Sequence, residues 1–396
     1  MHIVNQSNMM GSIEVNSLEN GITMLPDRLK VGIVGLQPER SWAARAHIPA
    51  LSSLSETFEI AGVANSTKAS GEAAAMAYGV PRAYANVAEL IAAPEVDIVT
   101  VTVKVPPHFE IVRSAVEAGK HVYCEWPLGN GLSEAEEMAR LVRAKGVLGI
   151  VGTQARVAPE IEYLKFLIDD GFVGEVLSTT LVAYGGAALG AAAIPNKKTY
   201  GYLLDNANGA TLLTIPFGHT IAALGDILGH IAELSAALLT RRPYVLTEDT
   251  GEKLPVSSPD QVLVSGILVS GAPISIHYRG GVPRNGDGLL WEIHGTKGDI
   301  TVSGSSGHSQ MVQLSLSGIR GDEKTTRPLE VPVSYRVGWP SAPESGNVAR
   351  VYARMASDLR NGTNTAPSFA DAVNIHRVID AIERAAESGE RVKLIW

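Results

Sequence analysis

Three stretches of this 396-residue sequence carry side chains whose types and spacing could do chemistry. "VGIVGLQPERSWAARAH" runs from an apolar strand into a helix and holds Gly32 and Gly35. Missing side chains at such a turn let backbone N–H groups approach a pyrophosphate, so the stretch is a candidate dinucleotide cradle. "VYCEWPLGNG" ends another apolar run with a carboxylate, an indole and a proline in succession: Glu125, Trp126 and Pro127. "NGATLLTIPFGHT" places His219 at the head of a helical segment. An imidazole ordinarily titrates near neutral pH, so a role in exchanging a proton with a hydroxyl needs no unusual pKa. Tyr200, Tyr202 and Asp205 precede it as further acid–base candidates, with Lys197 and Lys198 just upstream.

The glycine turn lacks a third glycine, and a longer loop, Gln37 to Trp42, takes its place. The second strand ends "VANSTK". An Asp or Glu there would bond an adenosine ribose and repel a 2′-phosphate. Asn65, Ser66, Thr67 and Lys68 instead tolerate that phosphate, so NAD and NADP both remain open; the same residues also suit the cap of the following helix.

These groups must be held by a regular alternation that begins at residue 29. Short apolar strands at 29–36, 58–65, 96–103, 120–126 and 148–154 alternate with amphipathic helices at 43–54, 68–79, 108–119 and 132–146. Continuous apolar strands separated by helices indicate a parallel sheet buried on both faces. After about residue 155, strand candidates at 174–186, 232–239, 261–269, 273–279, 289–294 and 298–303 follow one another with few intervening helices. The expected architecture is α/β: an N-terminal extension (1–28), a doubly wound Rossmann domain (29–155), and a C-terminal α+β domain (156–396). The last carries an open, mostly antiparallel sheet.

Composition narrows the function. Hydrophobic residues make up 45% and charged ones 19%, which suits a soluble chain with a sizeable core. A net charge of −8 without basic runs argues against nucleic acid as a partner. One cysteine excludes a disulfide framework and fits a cytoplasmic setting. No apolar stretch reaches the ~18 residues of a membrane span. The ten histidines lack metal-binding spacings, so no metal is expected.

Read together, these stretches resemble the glucose–fructose oxidoreductase, inositol dehydrogenase and MocA (Gfo/Idh/MocA) family of NAD(P)-dependent oxidoreductases. "VTVKVPPH" ending in His108, the Glu125-Trp126-Pro127 corner, "GTQARVAP" with Gln154 and Arg156, His219, and "EIHGTKGDITV" follow the family order. The resemblance implies cofactor contacts at Gly32, Gly35, Leu36, Trp42, Asn65, Ser66, Lys68, Val103, Val105, His108, Glu125, Trp126, Pro127 and Gln154. It implies substrate contacts at Trp126, Arg156 and His219, with His219, Asp205 and Tyr202 as the catalytic set. It departs from the family where Trp126 replaces a lysine and Thr214 an aspartate. The combination is similar to the branch that contains the fungal galactose-regulon repressor. Two functions follow: a dehydrogenase acting on a sugar, polyol or glycoside hydroxyl, or a non-catalytic NAD(P)-sensing regulator. Trp126 either stacks on a sugar face or wedges the domain junction. A homodimer or homotetramer is the expected assembly.

Overall fold

The computed structural model describes residues 28–38 and 40–396, so the extension read in residues 1–28 lies, except for Arg28, outside the described residues. Strands β1 (Leu29–Val34), β2 (Phe58–Ala64), β3 (Ile98–Val101), β4 (His121–Glu125) and β5 (Gly149–Gly152) form a parallel sheet in the order β2-β1-β3-β4-β5. Their continuous apolar composition follows from burial on both faces; β3 and β5 are buried at every residue. The order changes direction between β1 and β3, and ligands of doubly wound sheets sit in the crevice beyond such a point.

Helices α1 (Ile48–Ser53), α2 (Lys68–Tyr78), α3 (Val87–Ala92), α4 (His108–Glu117) and α5 (Leu132–Lys145) connect these strands. Helix α3 is absent from the sequence reading because six residues are too few to show a helical period. Helix α1 is entered through a wider π turn, Ala43–His47. Pro49 has no N–H for the fourth carbonyl back and its ring clashes there, so the backbone widens and Ile48 N–H reaches Ala43 O. His47 ends that turn, fully buried.

Beyond β5 lie helices α6 (Pro159–Asp169), α7 (Lys197–Tyr200) and α8 (Pro216–Leu228), and strand β6 (Val176–Tyr184). The strand β6 is central to a nine-stranded sheet. Its order is Arg327–Pro328, Ser315–Arg320, Gly298–Gly304, Leu289–Gly295, β6, Pro273–Arg279, Gln261–Leu268, Ile231–Leu239, Val392–Lys393. All pairings are antiparallel except that of β6 with Pro273–Arg279. Burial alternates residue by residue along Gln261–Leu268, as expected of a sheet with one covered and one open face.

The last helices, α9 (Pro343–Asn361) and α10 (Phe369–Ser388), amend the division at residue 155. Helix α9 packs back on the first helix and sheet, where Val348, Val351, Tyr352 and Met355 join Ala43, Ala46 and Phe58 in one apolar cluster. Its apolar stripe is covered there by residues from the other end of the chain, a choice that sequence order does not reveal. Among the described residues no helix is long and apolar enough to cross a membrane.

Candidate functional site

The exits of β1, β3 and β4 frame one side of a cleft of about 460 Å³. Gly35 leaves β1 with φ +104°, and a Cβ there would stand 2.7 Å from Val103 Cγ1, so only glycine closes this turn. Trp42, Val103, Val105, His108, Glu125, Trp126 and Pro127 share this wall, while Tyr202 and His219 face it from the second half of the chain. The structure thus brings together residues that the sequence spreads over almost two hundred positions.

Imidazole His108 ties the β3 and β4 exits to each other. Its Nε2 lies 3.0 Å from Val103 O and its Nδ1 3.0 Å from Pro127 O. Complete burial lowers its pKa, and the carbonyls act in the opposite sense.

The carboxylate of Glu125 is clamped from two sides. Gln154 Nε2 donates to both oxygens at 2.9 and 2.8 Å, and His47 Nε2 lies 2.8 Å from Oε1. Gly152 leaves the space, since a Cβ there would stand 2.6 Å from Oε2. Gln154 therefore lies behind the wall, holding a residue that faces the cleft.

Trp126 and Thr214, the two departures from the family pattern, touch each other. The indole Nε1 donates to Thr214 O at 2.6 Å. A Cβ on Gly218 would fall 2.6 Å from the same nitrogen, so this indole requires that glycine. His376 of α10 lies against the ring, with centroids 4.7 Å apart. At 6% exposure Trp126 is chiefly a wedge between the two halves.

His219 occupies the first turn of α8, and its Nδ1 is buried without a hydrogen-bond partner. Desolvation, with His308 nearby as a lesser cause, pushes its pKa down to about 3, so the ring does not titrate near neutral pH as its residue type suggests and is neutral at physiological pH. His308 Nε2 lies 2.9 Å from Gly185 O, so the ring carries its hydrogen there. Its Nδ1 then accepts from Gln310 Nε2 at 3.4 Å, which leaves Gln310 Oε1 buried and unpaired. Trp42 Nε1 is a third orphan on the cleft lining.

Several expected residues lie elsewhere. Arg156 is held by Asp226 at 2.5 and 2.7 Å and by Asp371 at 3.2 Å, in a separate crevice on the far end of α8. Asp205 caps a short turn, accepting from Ala207 N and Ser257 Oγ. Gly32 sits inside β1, where a Cβ would meet Leu90, so it serves packing. Leu36 is fully buried, and its carbonyl accepts from Asn65 Nδ2. Asn65 Nδ2 also donates to Ser70 O, while Thr67 caps α2. Ser66 and Lys68 are exposed, with Lys68 3.7 Å from Glu72.

Other residues in or behind the cleft escaped the sequence reading. Lys104 lines it, with Nζ 4.4 Å from the Tyr202 ring centroid. A cation directly after a strand in "VTVKVPPH" was the available signal. His308 and Gln310 come from the loop after Gly298–Gly304, and His47 from the π turn; no spacing rule links these to His219 or Glu125.

Comparison with known proteins finds relatives for both halves of the chain. Residues 29–153 match the oxidoreductase family with an NAD-binding Rossmann fold, and residues 159–304 match the Gal80p C-terminal domain. The dehydrogenase aclE of Aspergillus oryzae is 32% identical over 92% of this chain and 97% of its own length. The galactose/lactose metabolism regulatory protein GAL80 of Saccharomyces cerevisiae is 28% identical over 74% of this chain and 72% of its own. The solved Gal80p of Kluyveromyces lactis superposes with a TM-score of 0.81 at 28% identity, covering 92% of this chain and 91% of that one. With its NAD-type sheet, its glycine turn and its Gal80p-like second half, the chain belongs to the Gfo/Idh/MocA family of NAD-binding oxidoreductases.

Proposed function

We propose that the protein is an NAD(H)-dependent dehydrogenase acting on a hydroxyl or ketone of a sugar, polyol or glycoside. The observation that carries this reading is His219, a neutral buried imidazole with a free Nδ1, on the same cleft that Gly35 opens. The positive φ at Gly35 and the backbone cradle after β1 fit a dinucleotide pyrophosphate, with Trp42, Val103 and Val105 beside it. When bound, the nicotinamide supplies the hydride acceptor or donor. His219 accepts the hydroxyl proton during oxidation and returns it during reduction. Tyr202, half-buried across the cleft, and Lys104 beside it bind substrate hydroxyls; Arg156 and Asp205 have no part in this assignment. Asn65, Ser66 and Lys68 present no carboxylate, so NADP is tolerated beside NAD. Exposed Leu177, Leu263 and Leu290 on strands of the second sheet support a homodimer through that sheet. Cys124, a buried free thiol, accords with a cytoplasmic setting.

A second reading, a cofactor-sensing regulator, is favoured by one observation: the family's lysine position is an indole whose only donor is spent on Thr214 O. Assaying sugars, polyols and glycosides, levoglucosan included, with NAD+ and NADP+ separates the two. Turnover supports the dehydrogenase. Tight dinucleotide binding with no turnover on any of them would count heavily against the dehydrogenase and favour the regulator.

A further inference from the structure

Glu125 stands at the end of β4 on the cleft wall, and a carboxylate only accepts hydrogen bonds. Facing it at 2.8 Å, His47 must carry its hydrogen on Nε2. In the neutral ring Nδ1 of His47 is a lone pair, and the Tyr352 hydroxyl 2.9 Å away donates to it. The Tyr352 oxygen in turn accepts from Thr100 Oγ1 at 2.9 Å. Every donor in the series Thr100, Tyr352, His47 therefore points toward Glu125, and Gln154 adds donors from the other side. The series ends at Thr100, fully buried within β3, so it has no outlet to solvent. It is a holder of charge and not a route for protons.

On a doubly wound sheet the adenosine lies on the β2 side and the pyrophosphate at the β1 turn. The second nucleoside then lies over β3 and β4, the strand that Glu125 ends. An oxidised nicotinamide is cationic and a reduced one neutral. We propose that His47 is a positioning residue that fixes Glu125 as a negative charge on the cleft wall and biases the site toward the oxidised dinucleotide. This rests on the cofactor reading above. The bias comes from Coulomb attraction in a partly desolvated cleft, where it is stronger than in water.

The test is equilibrium binding of NAD+ and NADH to the full-length protein, by calorimetry, in the wild type, Glu125→Gln, His47→Leu and Tyr352→Phe. The new amide of Glu125→Gln keeps its partners, because Gln154 can turn its unpaired Oε1 toward it. The expected result is an approximately tenfold shift of the NAD+ to NADH affinity ratio toward NADH in Glu125→Gln. A smaller shift in the same sense is expected for His47→Leu and Tyr352→Phe. Nitrogen NMR of His47 should show a neutral ring with its hydrogen on Nε2 in the wild type and in Tyr352→Phe, since the Glu125 carboxylate faces that nitrogen in both; a doubly protonated ring in the wild type would overturn the proposal. An unchanged ratio in Glu125→Gln, with both dinucleotides still bound, overturns the proposal while leaving the cofactor reading intact. Failure of the wild type to bind either dinucleotide overturns both.

Discussion

The two ends of α8 treat their polar groups in opposite ways. Toward its C-terminus, Asp226 grips Arg156, which also reaches Asp371, the N3 residue of the capping box that Ser368 opens at α10. Toward its N-terminus, His219 Nδ1, Gln310 Oε1 and Trp42 Nε1 have no partner at all. A cluster whose charges answer one another acts as a staple between α8, α10 and the turn after β5. An unsaturated one is costly unless something else completes it, so orphaned atoms around a cleft mark where a ligand belongs. By residue type alone, Arg156 and His219 were equally good site candidates.

This contrast can be broken experimentally. Arg156→Met should lower stability by about 2 kcal/mol, because it takes the cation away from two carboxylates that are only partly exposed. Urea denaturation measures this, and a loss below about 1 kcal/mol would remove the staple interpretation. His219→Ala should do the reverse, reducing kcat/KM on whichever substrate the panel yields by about 10²-fold, equivalent to about 2.7 kcal/mol, with an unchanged urea midpoint. If its stability fell as far as that of Arg156→Met, the two clusters would not differ in kind.

Acid pH sharpens the comparison further. Burial pushes His219 and His376 down to about 3, below the ordinary value near 6.5 that each regains on unfolding. Between those values the unfolded chain binds more protons than the native one, so stability falls as pH falls through this window. Each histidine should cost about 2 kcal/mol at pH 5 relative to neutrality. His376→Leu should reduce the acid loss by that amount in melts at pH 7.5 and 5. The smallest expected effect is that of Trp126→Phe, about 1 kcal/mol, from the unpaired Thr214 carbonyl it leaves. Paired thermal melts of that variant and the wild type check it; no loss would mean that the indole packs without its hydrogen bond mattering.

Much of this architecture was legible before the structure, for a physical reason. Strands buried on both faces must be apolar throughout, so β1 to β5 stand out as uninterrupted runs, correct to within two residues at most ends. Helix α3 did not stand out, being shorter than two helical turns. The glycine turn and the Glu125 corner were legible because backbone geometry at strand exits demands particular residue types. Gly218 illustrates the opposite case: its sequence context "FGHT" says nothing of the indole that forbids a Cβ there.

The sequence by itself determined the class of fold, the nucleotide-binding end of the sheet and the family, since each rests on local patterns of apolarity and turn chemistry. Only the tertiary structure decided which polar residues are spent on one another and which are left for a ligand. It sent Arg156 to Asp226 and Asp371, folded α9 back so that Tyr352 could orient His47, and set His308 and Gln310 opposite the glycine turn. Pairings of this kind join residues far apart in the chain, and no local period or propensity encodes them.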